Sequence, residues 1–333
     1  MTQPIQRILV AVKDVRGKGS RTIRKAATLA RTMGASLELF HAITEHVAVE
    51  ALLMAGLSVQ KFEHDERLRY LKRLERLAEP LRRQGLKVTT NAVYDYPVHE
   101  AVVRRALRTK ADLIVAERHA TKHVAPWLLR YSDWELLRQS PVPVLVVKTA
   151  KLYESPRILA AIDPSHTFSK TAQLDDSILR MGERIANATR GRLHVVHSYV
   201  PTLMGLTPAE LSTPDATAKI IALSERAAKQ RFDKALRSAR LGSLPPGRRH
   251  IVGQHSMDAI PRVARDLGCS LVVMGAMSRS GFKRMFIGNT AEQVLDALPC
   301  DVLILKPAGF ATRVGRQTRG PLLVSLGVPY GMV

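Results

Sequence analysis

Apolar residues recur along this chain in short β-type runs set between longer stretches with helical spacing. Residues 7–13, RILVAVK, form an apolar run ending at Asp14 and predict a buried first strand. Residues 157–162, RILAAI, ending at Asp163, predict that element a second time. Helical spacing covers residues 20–33, 61–84 and 97–110 in the first half, then 171–189, 216–241 and 257–267 in the second. In residues 61–84 the spacing places Leu68, Leu71, Leu74, Ala78 and Leu81 on one stripe, with the charges turned to water. Strands alternating with helices imply βαβ units and parallel sheets covered on both faces.

The two halves match in order. Gly34-Ala35-Ser36-Leu37-Glu38-Leu39-Phe40-His41 corresponds to Gly191-Arg192-Leu193-His194-Val195-Val196-His197, each a helix-ending glycine followed by a strand. Residues 113–116 match 271–274, and 141–148 match 299–306, at a constant offset of 158. Colinear matches of this kind imply a duplicated domain. The expected division is residues 1–150, residues 151–308, and a tail at 309–333. Residues 149–156 read as a short linker. Beyond Lys306-Pro307 the pattern stops, and Arg313, Arg316 and Arg319 among glycines read as a segment that is disordered or loosely packed.

Composition narrows the classes. With 333 residues, two domains are expected, and 46% hydrophobic content supports two cores. No run is long enough to span a bilayer and none resembles an export signal, so a cytoplasmic protein without a membrane partner is expected. The two cysteines, Cys269 and Cys300, suit a reducing compartment. The eleven histidines show no ligand spacing with cysteine, so no metal is expected. The net charge of +22 is spread evenly: residues 1–150 hold 26 Lys+Arg against 15 Asp+Glu, and residues 151–333 hold 25 against 14. An even spread fits a basic surface adapted for solubility. It also fits one that contacts nucleic-acid phosphates without reading sequence, because 5% aromatics leave few stacking platforms.

The chemistry centres on residues 274–295, MGAMSRSGFKRMFIGNTAEQVL, which read as a strand end, a loop and a helix start. Such a loop can offer backbone N–H groups, with Arg279, Lys283 and Arg284, to a phosphate. Equally, Gly275, Gly281 and Gly288 can simply relieve steric demands in a long connection. No set of nucleophile, base and orienting group is visible, so catalysis is not expected.

These residues resemble the universal stress protein family. The second half carries the first strand ending in Asp163, the Gly275 to Gly281 loop, Gly288-Asn289-Thr290-Ala291-Glu292-Gln293-Val294, and a closing Pro-Cys-Asp-Val-Leu-Ile-Leu-Lys strand. The first half looks like a diverged copy, and its Asp133-Trp134-Glu135-Leu136-Leu137-Arg138 segment is similar to the E-type tandem members. The resemblance spans residues 5–307. It implies an α/β fold of two tandem doubly wound five-stranded parallel sheets with strand order 3-2-1-4-5.

In nucleotide-binding members a loop G-x-x-G-x9-G-[ST] wraps ATP phosphates and the first-strand aspartate reaches toward the adenosine. Carried over, the candidate site is Asp163, Gly275, Ser278, Arg279, Gly281, Gly288, Asn289 and Thr290, with ATP or another small ligand as its guest. Ser278 replaces the second glycine and Asn289 the Ser/Thr, so the loop admits either a phosphate cradle or a packing or dimer-contact element. In the first half Glu117, Ala120 and Arg130 stand at the offset positions of Gly275, Ser278 and Gly288, which opposes the same binding mode. Asp14 reads as a turn residue, and His119, Lys122 and His123 as surface loop residues. The resemblance implies a stress-response binding module, associated with survival of DNA-damaging or other stress, that is able to form a homodimer. An apolar ligand, held between the domains or under residues 201–214, is the remaining reading.

Overall fold

The first apolar run forms β1 (Arg7–Ala11), and its Ile8, Leu9 and Val10 are sealed from solvent. The structure is a computed structural model that describes residues 4–17, 20–56, 58–117, 126–164, 169–201, 214–276 and 289–324. Two compact units divide the chain: Pro4–Val144 with the segment from Ala311, and Leu145–Phe310.

In the first unit, Ser20 caps α1 (Arg21–Met33) by accepting the Ile23 N–H, and Gly34 ends it at φ 68°, where a side chain would be strained. There follow β2 (Ser36–Ile43), β3 (His46–Ala48), α2 (Val49–Met54), α3 (Val59–Arg83) and β4 (Val88–Tyr94). Next come α4 (Val98–Thr109), β5 (Leu113–Glu117) and α5 (Pro126–Gln139), and β6 (Val144–Val147) begins at the division. The four strands β4, β2, β1 and β5 pair in that order, all parallel. The buried stripe of α3 is Tyr70, Leu74, Ala78 and Leu81. Leu68, expected on it, is 49% exposed, because the stripe continues upstream through Tyr70, four residues before Leu74.

The second unit runs β7 (Arg157–Ile162), α6 (Ser169–Ala188), β8 (Arg192–Ser198), α7 (Pro214–Ser238) and β9 (Arg249–Val252). It continues through α8 (Ser256–Asp266), β10 (Leu271–Gly275), α9 (Asn289–Ala297) and β11 (Asp301–Leu305). Its strands lie in the order β9, β8, β7, β10, β11, every pair parallel. Central strands such as Leu271-Val272-Val273 are fully buried, as near-continuous apolar runs require in a sheet covered on both faces.

Together with Lys148 before it, the start of the expected linker at residues 149–156 is anchored in the second unit by Asp301. Its carboxylate is fully buried and accepts the Lys148 N–H (2.9 Å), the Thr149 N–H (3.0 Å), the Thr149 hydroxyl (3.2 Å) and the Tyr153 hydroxyl (2.7 Å). Lys148 Nζ donates to the carbonyls of Leu295 and Leu298 at the end of α9.

The tail, expected to be disordered or loosely packed, is bonded into the fold over its described residues. It returns to the first unit, where β12 (Leu322–Val324) pairs in parallel with β3. The Arg319 N–H donates to Asp95 (3.0 Å) and its guanidinium to Glu100 (2.8 Å). Its acceptor Asp95 is itself held by the Nε and Nη2 of buried Arg104, at 2.8 and 2.7 Å. Composition hides this order, since the acceptors lie more than two hundred residues upstream. Among the described residues no helix is long and apolar enough to cross a membrane, and no group of three or more His, Cys, Asp or Glu could hold a metal ion.

Candidate functional site

Open parallel sheets place ligands beyond the carboxyl ends of their strands, and in the second unit that end gathers titratable side chains around one peptide group. Strand β7 finishes at Ile162, whose register partner on β8 is His197. His197 Nδ1 lies 3.4 Å from the Ile162 carbonyl, so Nδ1 carries the proton and leaves Nε2 as an acceptor. The ring is fully buried, with Phe232 and Tyr199 each 6.5 Å away between centroids. Burial lowers its pKa, opposed in part by Asp163 and the Ile162 carbonyl. Its Nε2 is enclosed without a hydrogen-bond partner among the described residues, a costly state that a ligand donor would relieve.

The other side of that peptide group meets a carboxyl. The Asp163 N–H donates to Asp175 Oδ1 at 3.1 Å. Asp175 is 5% exposed, and burial pushes its pKa up to about 7; the Asp163 N–H lowers it and the Asp163 charge raises it. At neutral pH Asp175 is therefore poised between charged and neutral forms.

Gly275 closes β10. A Cβ there would lie 2.6 Å from Leu174 Cδ2 and 3.3 Å from Ile178 Cδ1, so α6 packs where a side chain would stand. Packing alone accounts for this glycine. Of the other candidate residues, Ser278, Arg279, Gly281 and Gly288 lie outside the described residues. Asn289 and Thr290 open α9, described by its backbone alone at these two positions. The residue 202–213 stretch, raised as a cover for an apolar ligand, also lies outside.

The first unit carries the same frame with different charges. Ile8 pairs with Leu113 as Ile158 does with Leu271, and Arg7 pairs with Ser36 as Arg157 does with Arg192. The register thus equates Lys13, rather than Asp14, with Asp163, and His41 with His197. His41 Nδ1 lies 2.8 Å from the Val12 carbonyl and its ring stacks on Tyr70 at 4.8 Å. Burial lowers the pKa of Lys13, while Asp133 and Glu117 act to raise it. Glu117, at the position of Gly275, accepts from Arg21 Nε (2.5 Å) and the Thr22 hydroxyl (3.3 Å). A cation and a carboxylate thus stand where the second unit has Asp163 and a glycine.

Sequence reasoning missed His197 and Asp175 as members of this cluster. The signal for His197 was present, because both repeats carry a histidine near the end of their second strand, His41 and His197. Asp175 had none, being one acid among several in a helix.

A tandem pair of doubly wound parallel α/β units, each with its polar residues at the strand carboxyl ends, defines the class. The model of the universal stress protein family matches residues 4–148 and again 155–306, and the chain belongs to that family as a tandem, E-type member. It is 26% identical over 235 residues to universal stress protein E of Escherichia coli (strain K12), covering 69% of this chain and 72% of that protein. To universal stress protein E of Photorhabdus laumondii it is 24% identical over 237 residues, covering 68% and 71%. Among solved structures it resembles a functionally unknown protein from Pseudomonas aeruginosa PAO1, with a TM-score of 0.69 and 25% identity over 91% of this chain and 93% of that one. A universal stress protein from Archaeoglobus fulgidus DSM 4304 shares the fold, with a TM-score of 0.56 and 17% identity over 91% and 99%.

Proposed function

We propose that this stress-response protein is a cytoplasmic binding module whose second domain alone takes a small phosphate-bearing ligand, ATP being the first candidate. The observation that carries this reading is the change of charge at equivalent strand ends: Lys13 with Glu117 in one unit, Asp163 with the uncharged Gly275 in the other. Glu117 would repel a phosphate at the position where Gly275 presents only backbone. In the second domain, Asp163, Gly275, Ser278, Arg279, Gly281, Gly288, Asn289 and Thr290 form the site. The orphaned Nε2 of His197 fits a ligand donor such as a hydroxyl or amino group. The module binds without useful turnover, since the cluster offers no paired nucleophile and base.

Calorimetric titration of the full chain with ATP and magnesium tests this. One site per chain is expected, with Asp163→Ala weakening binding at least about tenfold, or about 1.4 kcal/mol, and Lys13→Ala leaving it unchanged. Absence of both heat and a shift in melting temperature up to millimolar ligand would refute the nucleotide.

A further inference from the structure

In the second unit several arginines stand at the amino-terminal edge of the sheet, opposite the strand ends that carry Asp163 and Gly275. Arg157 opens β7, Arg192 opens β8, and the parallel register sets them side by side. Like charges in adjacent positions repel, so the fold gains nothing from this pairing. Arg248 ends the Pro246–Arg248 turn that leads into β9.

Among these arginines lies His194, 7% exposed, with Nδ1 3.1 Å from Nε2 of His250. Their centroids are 5.4 Å apart and their planes differ by 22°. The rings therefore meet nearly end to end, which suits one shared N–H···N bond and not a metal ion at the apex of two converging nitrogens. The charged and titratable groups acting on His194 are His250, Arg248, Arg157 and Arg192, with no carboxylate among them.

Some arginines of this edge have local duties. Arg157 donates to the Leu267 carbonyl at the end of α8 (2.7 Å). Arg249 donates to the carbonyls of Leu244 and Gly242 and approaches Asp233. Arg265 complements the negative end of the α8 dipole. None of these duties extends to Arg192 or Arg248, whose guanidiniums have no hydrogen-bond or ion-pair partner among the described residues. Beside them a cleft of about 350 Å³ between β9 and α8 is lined by Arg249, His250, Arg262 and Asp266.

We propose that this arginine edge of the second domain is a docking surface for the phosphodiester backbone of a nucleic acid, held through Arg157, Arg192, Arg248 and Arg262. Guanidinium forks match phosphate oxygens in pairs, which ammonium groups do not. A bilayer surface is the poorer partner. The exposed large apolar side chains of the described residues include Val200, Ile221 and Leu223, and none stands on the strand starts and helix ends that make up this edge. Sparse aromatics leave the contact independent of base sequence.

Fluorescence anisotropy of a short labelled duplex, and of its single strand, with the full chain across about 50–200 mM salt tests the proposal. Affinity is expected to fall with salt at a log–log slope of about 0.9 per phosphate neutralised. Arg192→Glu with Arg248→Glu should weaken binding at least about tenfold and flatten the slope by about two. Lys72→Glu with Arg76→Glu makes an equal change of net charge on exposed α3 residues and should leave both unchanged. Equal effects from the two double variants would overturn the proposal, as would no binding at the lowest salt. So would capture by phosphatidylserine–phosphatidylcholine vesicles without capture of nucleic acid. The ATP titration of the Arg192/Arg248 variant should match the parent, so this surface and the ligand site fail independently.

Discussion

Tyr153 donates its hydroxyl to Asp301 at 2.7 Å, and both side chains are closed to solvent. The bond joins a residue just ahead of β7 to the first residue of β11, with the amides of Lys148 and Thr149 converging on the same carboxylate. Burial first, and then Asp301, hold the Tyr153 pKa well above its ordinary value, so the hydroxyl remains a donor. Tyr153→Phe should cost about 1.5–3 kcal/mol, the worth of a hydrogen bond to a charged group. Asp301→Ala should cost about 3 kcal/mol or more, since two amides and two hydroxyls lose their acceptor. Urea denaturation midpoints measure both. A Tyr153→Phe midpoint equal to the parent's would contradict the first.

Asp175 makes stability depend on pH. Its folded pKa, about 7, stands above the ordinary carboxylate value, so between about pH 4 and 7 the folded chain keeps a proton that the unfolded chain releases. Stability from this group is complete at the acid end of that window, falls as pH rises through it, and is level above. Asp175→Asn keeps an oxygen for the Asp163 N–H and removes the charge. The variant should exceed the parent by on the order of 2–4 kcal/mol near pH 8, with the gap closing toward pH 4. Denaturation at several pH values checks this convergence.

Gly275 meets α6 through Leu174. Gly275→Ala brings a methyl group against the flexible end of that side chain and should cost about 1–3 kcal/mol. Adding Leu174→Ala opens the space. The double variant should then be more stable than the sum of the two single losses, by about 1 kcal/mol. Strict additivity would show that the two positions do not press on one another.

The buried pair of Arg104 and Asp95, 4% and 1% exposed, is a further test. Arg104→Ala leaves a sealed carboxylate without its two-pronged partner and should cost about 3–5 kcal/mol. Arg319→Ala removes a half-exposed contact to Glu100 and should cost about 1 kcal/mol or less, while the Arg319 N–H still reaches Asp95. Amide exchange at residues 322–324 should quicken, because β12 is a short strand held by few neighbours.

Much of this architecture is legible in the chain. The matching RILVAV and RILAAI runs and the matching closing strands mark a repeat whose copies form the same parallel frame, although the left-handed residue that ends the helix, Gly34 in the first copy, is Arg190 in the second, and Gly191, expected in that place, instead makes room for the Pro156 carbonyl. Periodicity suffices there because burying an apolar face is a local demand repeated along each element. It fails where the partner is remote. Tyr70 displaces Leu68 from the buried stripe of α3, and Asp301 gathers donors from the supposed linker. Arg319 reaches Asp95 across most of the chain, and nothing in the tail's own residues announces it.

The sequence by itself determined two copies of one strand-and-helix order, because apolar spacing dictates which backbone pairs and which faces are buried. Only the tertiary structure decided that Lys13, one residue before Asp14, stands opposite the role of Asp163, since that assignment depends on inter-strand register. It also decided that Gly275 makes room for Leu174, and that His197 and Asp175 share a single peptide group. Such assignments follow from which atoms meet across the fold, and spacing along one chain does not encode them.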